Sequence, residues 1–354
     1  MTTKIYPIDI YYKKGGIIYE LNNDAYTCTL NQTDIETNKN KFYIMQIIYN
    51  NSAYDHFIRY GRIGESGKSS IDTYQTKEGA VNAFEKQFKT KTGNNWSNKD
   101  SFVKKEGKYF LTEIIYEVEK TAIVEIKKEP SKLNERVQQL IKFISDVESM
   151  KKTLIELNID LKKMPLGKLS KIQINKAQDI LKKLSLIINN QNNSEEIGIL
   201  SSEYYTYIPY SCGRKKPPTI DSIDQIGEYT NQLDDLRQMD VAIKINQEAE
   251  SSTNQIDSIY TSLNTNIVPI DKSSEIWKQI ELYIKNTHAS THQFTATLVD
   301  AFSVMRNGER DNYNSYTKNI GNKQLLWHGS RMTNFCSILN KGLLLNPDNI
   351  GVVI

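Results

Sequence analysis

Near one end of the sequence, LLWHGSRMTNF (325–335) places polar side chains directly behind an apolar run. Leu325, Leu326 and Trp327 have the composition of a buried strand, and His328 follows them. A neutral imidazole both donates and accepts hydrogen bonds, so a histidine in this place is suited to hold a hydroxyl group. The segment predicts a buried strand that delivers His328 to a binding site; a strand-end histidine that only packs is the alternative.

A second candidate site lies at the end of HFIRYGRIG (56–64), a run typical of a β-strand that ends in glycines. Tyr60 and Arg62 place an aromatic ring beside a guanidinium group. Such a pair can stack on a terminal base or sugar while it binds a phosphate, which favours a nucleic-acid contact. The alternative is a hairpin end from which Arg62 points into solvent.

Two other motifs lack a residue that their chemistry needs. GRIGESGKS (61–69) resembles a phosphate-binding loop, but Arg62 stands where that loop requires a glycine, and the following SIDTYQT is typical of a strand. His288 and His292 have the spacing of a helical metal pair, but Ala289 replaces the glutamate that a zinc hydrolase uses as its base. We expect these histidines to cap or pack a helix end.

The composition is that of an ordinary globular chain: 354 residues, 38% hydrophobic and 25% charged, which suggests two or three domains. The N-terminus lacks the apolar core of a signal peptide, and no apolar run is long enough to cross a bilayer. Cys28, Cys212 and Cys336 lie far apart and form no CxxC pair. We therefore expect an intracellular protein with reduced thiols and no bound metal.

The net charge of +3 is too small to indicate nucleic acid by itself, but positive charge is locally concentrated. Between residues 86 and 108, only Asp100 and Glu106 oppose a cluster of lysines. The cluster consists of Lys86, Lys89, Lys91, Lys99, Lys104, Lys105 and Lys108. A basic surface that attracts phosphates is one interpretation, and a solvated helix face is the other.

The first part of the chain indicates a small β-rich module at 15–120, after a short segment (1–14) and before a linker (121–130). Three runs are aromatic and β-branched, as strands are: KFYIMQIIYN, HFIRYGRIG and YFLTEIIYEVE. Between the second and third runs, apolar residues recur at helical spacing, and Gly93 follows them as a candidate C-cap. Strands that flank one helix predict a compact half-sheet fold.

Residues 131–250 change to helical periodicity and predict an all-α bundle. Apolar residues recur at intervals of three and four through 133–154, after Ser131 as a candidate N-cap. MPLGKLS (164–170) interrupts this pattern, and Ser170 is placed to cap the next helix. Further helical stretches are expected at about 195–207 and 221–247.

Residues 254–354 mix helix and strand. A helix is expected from Ser273 to about Asn286, and FTATLVDAFSVMR (294–306) alternates like a strand. After LLWHG as a second strand, TNFCSILNKG predicts a helix that ends at Gly342. A strand, a polar turn and a helix often form a platform for a cofactor, but they also occur without any site.

The three zones resemble, in order, the domains of DNA-dependent poly(ADP-ribose) polymerases. The first is similar to the WGR domain through LNQTD, NKNKFYIMQ, RYGRIG, TGNNW and GKYF, with Tyr60 in place of the signature tryptophan. The second is similar to the helical regulatory domain through DVESMKK, DLKKMPLGKLS and IP…GRKKPP. The third begins like the ADP-ribosyltransferase domain, through KNTHASTH and LLWHGSRMTNF. The short segment before the WGR-like module is more similar to the small DNA-dependent members than to the zinc-finger member.

The resemblance implies a multidomain α+β protein. It would contain a β-rich WGR-like DNA-binding module at 15–120, an all-α helical regulatory bundle at 131–250, and at 254–354 the N-terminal part of a mixed α/β ADP-ribosyltransferase domain. In the family, the bundle obstructs NAD+ until binding of a DNA break loosens it, which is coupling through local unfolding.

For DNA, the resemblance implies contacts from Arg62 and Tyr60, and from Gln32, Lys41 and Tyr109 by alignment of the motifs. For regulation, Asp234 matches a family position near the NAD+ site. A solvated helix carboxylate is the alternative for that aspartate.

For NAD+, the resemblance implies that His328 hydrogen-bonds a ribose hydroxyl and that Gly329 presents its backbone to the nicotinamide carboxamide. Ser330 and Asn334 would lie on the adenosine side, and Leu344 stands where family members usually have an arginine for the phosphates. The family's later catalytic tyrosine and glutamate would lie beyond the last residue, Ile354. We therefore expect the chain as printed to be an N-terminal part that is inactive by itself.

The expected protein is thus a nuclear transferase of the DNA damage response that is activated by DNA strand breaks and modifies acceptor proteins. Its substrate would be NAD+, without a metal or a membrane, and an accessory factor that completes the active site is considered as a further partner. The alternative is a non-catalytic protein that binds DNA ends and retains only the sensor and the helical domain.

Overall fold

The computed structural model describes residues 6–112, 114–115, 129–157, 168–189, 194–289, 291 and 294–343. These residues divide into two compact units, which are treated separately below. The first contains the described residues within 1–123 and 151–237, and the second those within 124–150 and 238–345. The large sheet is built from the first 112 residues and most helices from the rest of the chain, so the predicted multidomain α+β class is confirmed.

An antiparallel sheet forms the centre of the first unit. Strands β1 to β8 are Ile17–Ile18, Glu20–Leu21, Asp24–Ala25, Thr27–Asp34, Lys39–Tyr49, Tyr54–Arg62, Lys68–Tyr74 and Phe110–Thr112. Their spatial order is β7-β6-β5-β4-β8, β1 also pairs with β5, and β2 pairs with β3. The β5–β6 hairpin is paired from Lys41 opposite Arg62 to Tyr49 opposite Tyr54.

Helix α1 (Lys77–Thr92) covers one face of this sheet, where its side chains Phe84 and Phe88 are fully buried. The helix begins at Thr76, whose hydroxyl accepts a hydrogen bond from the N–H of Gly79 at 3.2 Å. It ends at Gly93, which has a φ of 72°. Glycine adopts this left-handed conformation more readily than any other residue, so the predicted C-cap is confirmed.

The other face of the sheet is covered by residues 6–14, which the sequence assigns to a segment of their own. Asp9 forms a buried ion pair with Arg59 at 2.9 Å, and its N–H donates to Oε1 of Gln46. The hydroxyl of Tyr12 donates to Asp55 at 2.8 Å. This segment is therefore built into the sheet module by buried polar contacts as well as by apolar packing.

The remaining elements of the described residues are mostly helices, as the helical periodicity of the sequence predicts, with four short strands among them. In chain order they are β9 (Ile114–Ile115), α2 (Glu135–Ile144), α3 (Val147–Glu156), β10 (Lys168–Leu169), α4 (Lys171–Asn189), α5 (Ser194–Tyr207), α6 (Ile223–Ala249), α7 (Gln255–Ser262), β11 (Thr265–Pro269), α8 (Glu275–Thr287), β12 (Phe302–Arg306), α9 (Glu309–Thr317) and α10 (Phe335–Lys341). Strand β10 pairs with β9, and β11 pairs with β12. The helices predicted at 195–207 and 221–247 are confirmed as α5 and α6.

The predicted start of the first helical stretch is wrong. Helix α2 has Asn134 as its N-cap, and the side chain of Asn134 accepts a hydrogen bond from the N–H of Arg136 at 2.9 Å. The hydroxyl of Ser131 instead donates to Asp257, a partner 126 residues away that no local pattern can reveal. The prediction for Ser170 holds, because its hydroxyl accepts from the N–H of Gln173 at 3.2 Å.

In the second unit, β11 and β12 form an antiparallel pair, and α8 begins at Ser274, whose hydroxyl accepts from the N–H of Trp277 at 3.2 Å. Arg136 of α2 forms an ion pair with Asp300. Helix α10 ends at Gly342, which has a φ of 87°, as the sequence predicts.

The predicted buried strand LLWHG is wrong. Residues 321–331 adopt neither helix nor strand, and the side chains of Leu325 and Leu326 are 78% and 77% exposed. A strand requires a neighbour that pairs with its backbone, whereas the carbonyl of Leu325 accepts from the hydroxyl of Tyr283 at 2.7 Å. The alternation in 294–306 likewise becomes strand only at Phe302–Arg306.

Candidate functional site

The residues predicted for DNA contact lie together on one face of the sheet. Lys41 is opposite Arg62 on one side and Gln32 on the other. Tyr60 lies two residues before Arg62, and side chains two apart in a strand point to the same face. Tyr109 directly precedes β8, next to β4. The strand register thus brings all five residues to the same end of one face.

Tyr60 has an exposed aromatic ring on this face. Its side chain is 43% exposed, whereas that of its cross-strand partner Tyr43 is only 5% exposed. The two rings are stacked, with centroids 5.6 Å apart and planes inclined by 18°. Tyr109 contacts the edge of the Tyr43 ring at 5.8 Å. A supported, exposed ring of this kind is suited to stack on a base.

Arg62 does not point freely into solvent, so the alternative interpretation of a solvent-facing arginine is wrong. Its Nε donates to the carbonyl of Gly213, and one terminal nitrogen donates to the carbonyl of Lys215. The two terminal nitrogens also donate to Asn38, at 3.1 Å to its carbonyl and 2.8 Å to its side-chain oxygen. All three nitrogens of the guanidinium are therefore engaged within the first unit, mostly by the turn 212–215.

The close approach of this turn to the sheet depends on Gly64. This residue has a φ of 87°, and a Cβ there would collide with the hydroxyl of Ser211. Nearby, the side chain of Asn40 donates to the carbonyl of Tyr210 at 2.8 Å. Glycine at this position therefore lets the backbone before the 212–215 turn contact the end of the β5–β6 hairpin.

Helix α5 contacts the same sheet beside this turn. The N–H of Ile35 donates to the hydroxyl of Ser202 at 3.0 Å, and the ring of Phe110 packs edge-on against Tyr207 at 4.8 Å. Lys104 forms an ion pair with Glu203 at 3.8 Å. Burial lowers the pKa of Lys104, and the carboxylate of Glu203 opposes that shift. Sheet and helix are thus joined by apolar, neutral polar and ionic contacts.

The lysine cluster is only partly available to a ligand. Lys99 pairs with Asp24 at 2.8 Å, Lys104 pairs with Glu203, and Lys105 and Lys108 donate to backbone carbonyls near the end of α1. The ammonium of Lys91 lies 4.6 Å from the centre of the Tyr43 ring. Of the seven, Lys86 and Lys89 are exposed, and within the described part of the chain their side chains make no hydrogen bond or ion pair.

Asp234 is neither fully solvated nor isolated. It lies on α6, where burial raises its pKa and the guanidinium of Arg237, at 2.8 Å, acts in the opposite direction. Arg237 also donates to the side chain of Asn175 on α4 at 3.4 Å. This half-buried ion pair links two helices of the predicted regulatory bundle.

The predicted NAD+ residues lie in the second unit, in and just after the segment 321–331, which forms neither helix nor strand. His328 and Gly329 are exposed, and nothing lies within 4 Å of a Cβ built on Gly329. Ser330 accepts a hydrogen bond from the buried side chain of Asn334 at 3.1 Å. The structure thus keeps Ser330 and Asn334 together, while the imidazole and the glycine backbone are open to a ligand.

Of the two histidines in the neighbouring motif, the structure describes only His288, which packs at a helix end. His288 directly follows α8 and lies edge-on against Phe294 at 5.6 Å, as expected for a histidine at a helix end. His292 and Leu344 lie outside the described residues. No group of three or more potential metal ligands occurs among the described residues. None of the helices in that part combines the length and apolar character needed to cross a bilayer.

Sequence reasoning missed the groups that support the exposed ones. Tyr43 is the clearest case, because it lies two residues after Lys41 in the same strand and therefore on the same face. In the structure it is opposite Tyr60. The partners of Arg62 left no such signal, since the turn 212–215 lies about 150 residues away in the sequence.

Comparison with known families matches three models in the order of the zones described above. The WGR domain model matches residues 26–103, and the model "Poly(ADP-ribose) polymerase, regulatory domain" matches residues 131–260. The model "Poly(ADP-ribose) polymerase catalytic domain" matches residues 274–353.

Curated relatives show the same relationship. The chain is 37% identical to Poly [ADP-ribose] polymerase of Drosophila melanogaster, over 93% of this chain and 34% of the relative. It is 34% identical to human Poly [ADP-ribose] polymerase 2, over 93% and 58% of the two chains. It is 35% identical to human Protein mono-ADP-ribosyltransferase PARP3, over 96% and 66%. The chain therefore spans between about a third and two thirds of the length of these relatives.

Proposed function

We propose, from the premise that this chain belongs to the poly(ADP-ribose) polymerase family, that it senses DNA ends and regulates NAD+-dependent ADP-ribosylation of proteins. The observation that carries the proposal is the double position of Arg62. It lies on the candidate DNA face, and its guanidinium is held by the 212–215 turn of the helical region. One side chain therefore lies where it could contact both DNA and the 212–215 turn.

DNA would bind to the sheet face that carries Tyr60, Arg62, Gln32, Lys41 and Tyr109. The exposed ring of Tyr60 would stack on the terminal base pair, which is accessible only at a break or an end. Lysine and arginine would bind phosphates without regard to sequence. A sensor of this kind recognises interrupted DNA because an uninterrupted duplex offers no exposed base face.

Arg62 provides a route from this face to the helical region. A DNA phosphate and the carbonyls of Gly213 and Lys215 compete for one guanidinium, so DNA binding would release the 212–215 turn. By linkage, loosening that turn would favour DNA binding to the same extent. We propose that the release loosens the helical region, in which the Asp234–Arg237 pair is the regulatory contact, and thereby admits NAD+.

Residues 328–334 would hold NAD+. His328 is open to hydrogen-bond a ribose hydroxyl, and Gly329 can present N–H and C=O to a carboxamide without steric hindrance. Ser330 and Asn334 would contact the adenosine part. In the proposed reaction, the glycosidic bond between nicotinamide and ribose of NAD+ breaks, nicotinamide leaves, and a nucleophile of the acceptor protein bonds to the ADP-ribose. No metal is proposed for this step. A nuclear location follows from the proposed DNA partner, and an accessory factor that completes the site is part of this proposal.

The competition at Arg62 is tested by two substitutions with opposite expected signs. Arg62→Ala should weaken binding to a blunt-ended or nicked duplex, because a phosphate contact is lost. Asn38→Gly should strengthen binding, about fivefold for one hydrogen bond to Arg62 removed. Glycine fits this position because Asn38 has a φ of 51°. Asn51→Gly, at another left-handed asparagine beyond β5, is the matched control (φ 70°).

Binding is measured by titration at fixed salt against a duplex closed by hairpins at both ends. We expect wild type to prefer the open duplex, Arg62→Ala to lose affinity, and hydrogen exchange in residues 208–220 to increase on addition of DNA. Unchanged affinity in Arg62→Ala would refute its DNA role. Equal affinity of wild type for open and closed duplexes would refute end sensing.

The second candidate is a DNA-end binder without transferase activity. It is favoured by the exposed segment 325–329, which forms no strand in the described structure. Consumption of NAD+ by the full-length gene product decides between the two. Consumption that rises with broken duplex supports the transferase, and its absence in the presence of bound DNA supports the binder.

A further inference from the structure

The β5–β6 hairpin carries two cross-strand tyrosine pairs on the same face. Tyr43 and Tyr60 stack at 5.6 Å and 18° at the DNA-facing end, and Tyr49 and Tyr54 lie 5.0 Å apart at 36° at the other end. Only the first pair belongs to the candidate DNA face. The hairpin therefore contains both a candidate support for the stacking ring and an internal control for it.

Tyr43 is fixed from several directions. The side-chain amide of Gln87 on α1 donates to its hydroxyl at 2.5 Å. The ammonium of Lys91 lies 4.6 Å from the centre of its ring, and Tyr109 packs edge-on against it at 5.8 Å. A cation near the ring face and an aromatic edge both interact favourably with the ring quadrupole. The Tyr43 ring is thus held by three elements: the hairpin, the helix and the segment before β8.

The elements that hold Tyr43 are themselves joined. The N–H of Tyr109 donates to the carbonyl of Lys91 at 3.1 Å. At the same end of α1, the ammonium groups of Lys105 and Lys108 donate to the carbonyls of Gly93 and Thr90, at 2.6 and 3.2 Å. These contacts use carbonyls that the end of a helix leaves without intrahelical partners. The surroundings of Tyr43 therefore leave its ring little freedom to rotate.

We propose that Tyr43 is a positioning residue for DNA-end recognition: its buried ring fixes the plane of Tyr60 so that Tyr60 can stack on the terminal base pair. The inference rests on the function proposed above. Tyr43 is only 5% exposed, so it acts through Tyr60 and not by contact with DNA. An exposed tyrosine without such support loses side-chain entropy when it stacks, and a pre-oriented ring loses less.

The test separates the ring of Tyr43 from its hydroxyl and from general stability. Tyr43→Met and Tyr43→Leu remove the ring, and the use of two replacements of different volume guards against a failure of one to fold. Tyr43→Phe retains the ring and removes only the bond from Gln87. Tyr49→Met removes a ring from the other pair. Stacking is read from the fluorescence of 2-aminopurine at the terminal position of a duplex, with an interior label as reference, and affinity from titration at fixed salt.

We expect Tyr43→Met and Tyr43→Leu to lose the terminal fluorescence change and to bind ends about two- to tenfold more weakly, the range that corresponds to one aromatic pair. Tyr43→Phe and Tyr49→Met should retain the wild-type signal. A terminal signal that persists in a folded Tyr43→Met or Tyr43→Leu variant would overturn the inference, as would an equal loss in Tyr43→Phe. Failure of the proposed function looks different: wild type itself would then give no terminal signal, or Tyr60→Ala would bind ends as tightly as wild type.

Discussion

The sheet face and the segment 325–331 were both predicted from short motifs, but only the sheet face has the predicted local structure. Tyr60 and Arg62 both lie on β6, and its register with β5 fixes which side chains lie beside them. His328 follows Leu325, Leu326 and Trp327 in a segment without helix or strand, where these apolar side chains are more than half exposed. The first site is determined by elements close in sequence, whereas the second depends on backbone partners that its own sequence does not contain.

This difference teaches that a motif defines the chemistry of a site more reliably than its conformation. A hairpin supplies its own pairing, because each strand satisfies the backbone groups of the next. An apolar run that should form a buried strand needs a distant neighbour before burial becomes favourable. The two regions should therefore respond differently to the same perturbation, and the predictions below compare them directly.

The largest expected effect concerns the buried pair of Asp9 and Arg59. Asp9→Ala leaves a buried guanidinium without its carboxylate and should lower the free energy of unfolding by about 3–5 kcal/mol. Glu309→Ala removes the partner of Arg306 in the second unit, where both groups meet solvent, and should have little effect. Urea denaturation of the whole chain measures both. A small effect of Asp9→Ala would show that residues 6–14 do not stabilise the sheet.

A leucine-to-alanine substitution can be made both in the sheet and in the segment 325–331. Leu30 on β4 is 0% exposed, and Leu326 is 77% exposed. Leu30→Ala should cost about 2–5 kcal/mol of unfolding free energy, since it removes buried methyl groups and leaves a cavity. Leu326→Ala should change it by less than about 0.5 kcal/mol. A large loss in Leu326→Ala would mean that the segment is buried in solution.

The next prediction uses pH. His56 on β6 is 3% exposed, and burial lowers its pKa to about 4, although Asp72 opposite it acts in the other direction. The unfolded chain binds a proton at this histidine below about pH 6.5 and the folded chain does so only near pH 4, so stability falls as the pH is lowered between these values. The total loss is about 3 kcal/mol.

Unfolding curves between pH 7 and pH 4 test this prediction, with His56→Gln as the variant that cannot titrate. The difference between wild type and His56→Gln should shrink as the pH falls through this window. Parallel curves for the two proteins would contradict a neutral, buried His56. Carboxylates such as Asp55, whose pKa is lowered in the fold despite its burial, titrate in both proteins and cancel in the comparison.

Much of the sheet module could be predicted because its signals are local. The aromatic strands, the helix that ends at Gly93 and the positions of Tyr60 and Arg62 follow from alternation, helical spacing and one glycine. The ends of α5 and α6 and the end of α10 at Gly342 were also close to the expected positions. In each case the residues that determine the feature lie within a few positions of it.

The features that could not be predicted depend on partners far away in the sequence. Asp9 and Arg59 form an ion pair although they are 50 residues apart in the sequence. Ser131 donates to Asp257 and does not cap α2. Arg62 is held by the turn that contains Gly213. No periodicity encodes such contacts, because they arise only once separate elements have packed.

A smaller effect concerns the ion pair of Lys104 and Glu203, which joins the sheet to α5 with both side chains about one third exposed. A double-mutant cycle with Lys104→Met and Glu203→Gln should give a coupling energy of about 0.5–1 kcal/mol. The exposed pair Lys278–Glu275 on α8 is the control from the second unit and should give less. Equal coupling energies in the two pairs would show that the Lys104–Glu203 ion pair contributes no more than an exposed pair to holding the sheet and α5 together.

The smallest effect concerns two lysines of the cluster between residues 86 and 108 and their contribution to the proposed DNA binding. Lys89 is exposed without a partner in the described structure, whereas Lys104 is paired with Glu203. If Lys89 contacts a phosphate, Lys89→Gln should reduce the slope of log K against log salt by about 0.9, because one fewer counterion is released. Lys104→Gln should leave the slope nearly unchanged, since its charge is already balanced. Titrations of the open duplex at several salt concentrations measure both slopes. A larger change in Lys104→Gln than in Lys89→Gln would mean that DNA displaces Glu203. DNA would then compete for this ion pair, as proposed for the contacts of Arg62.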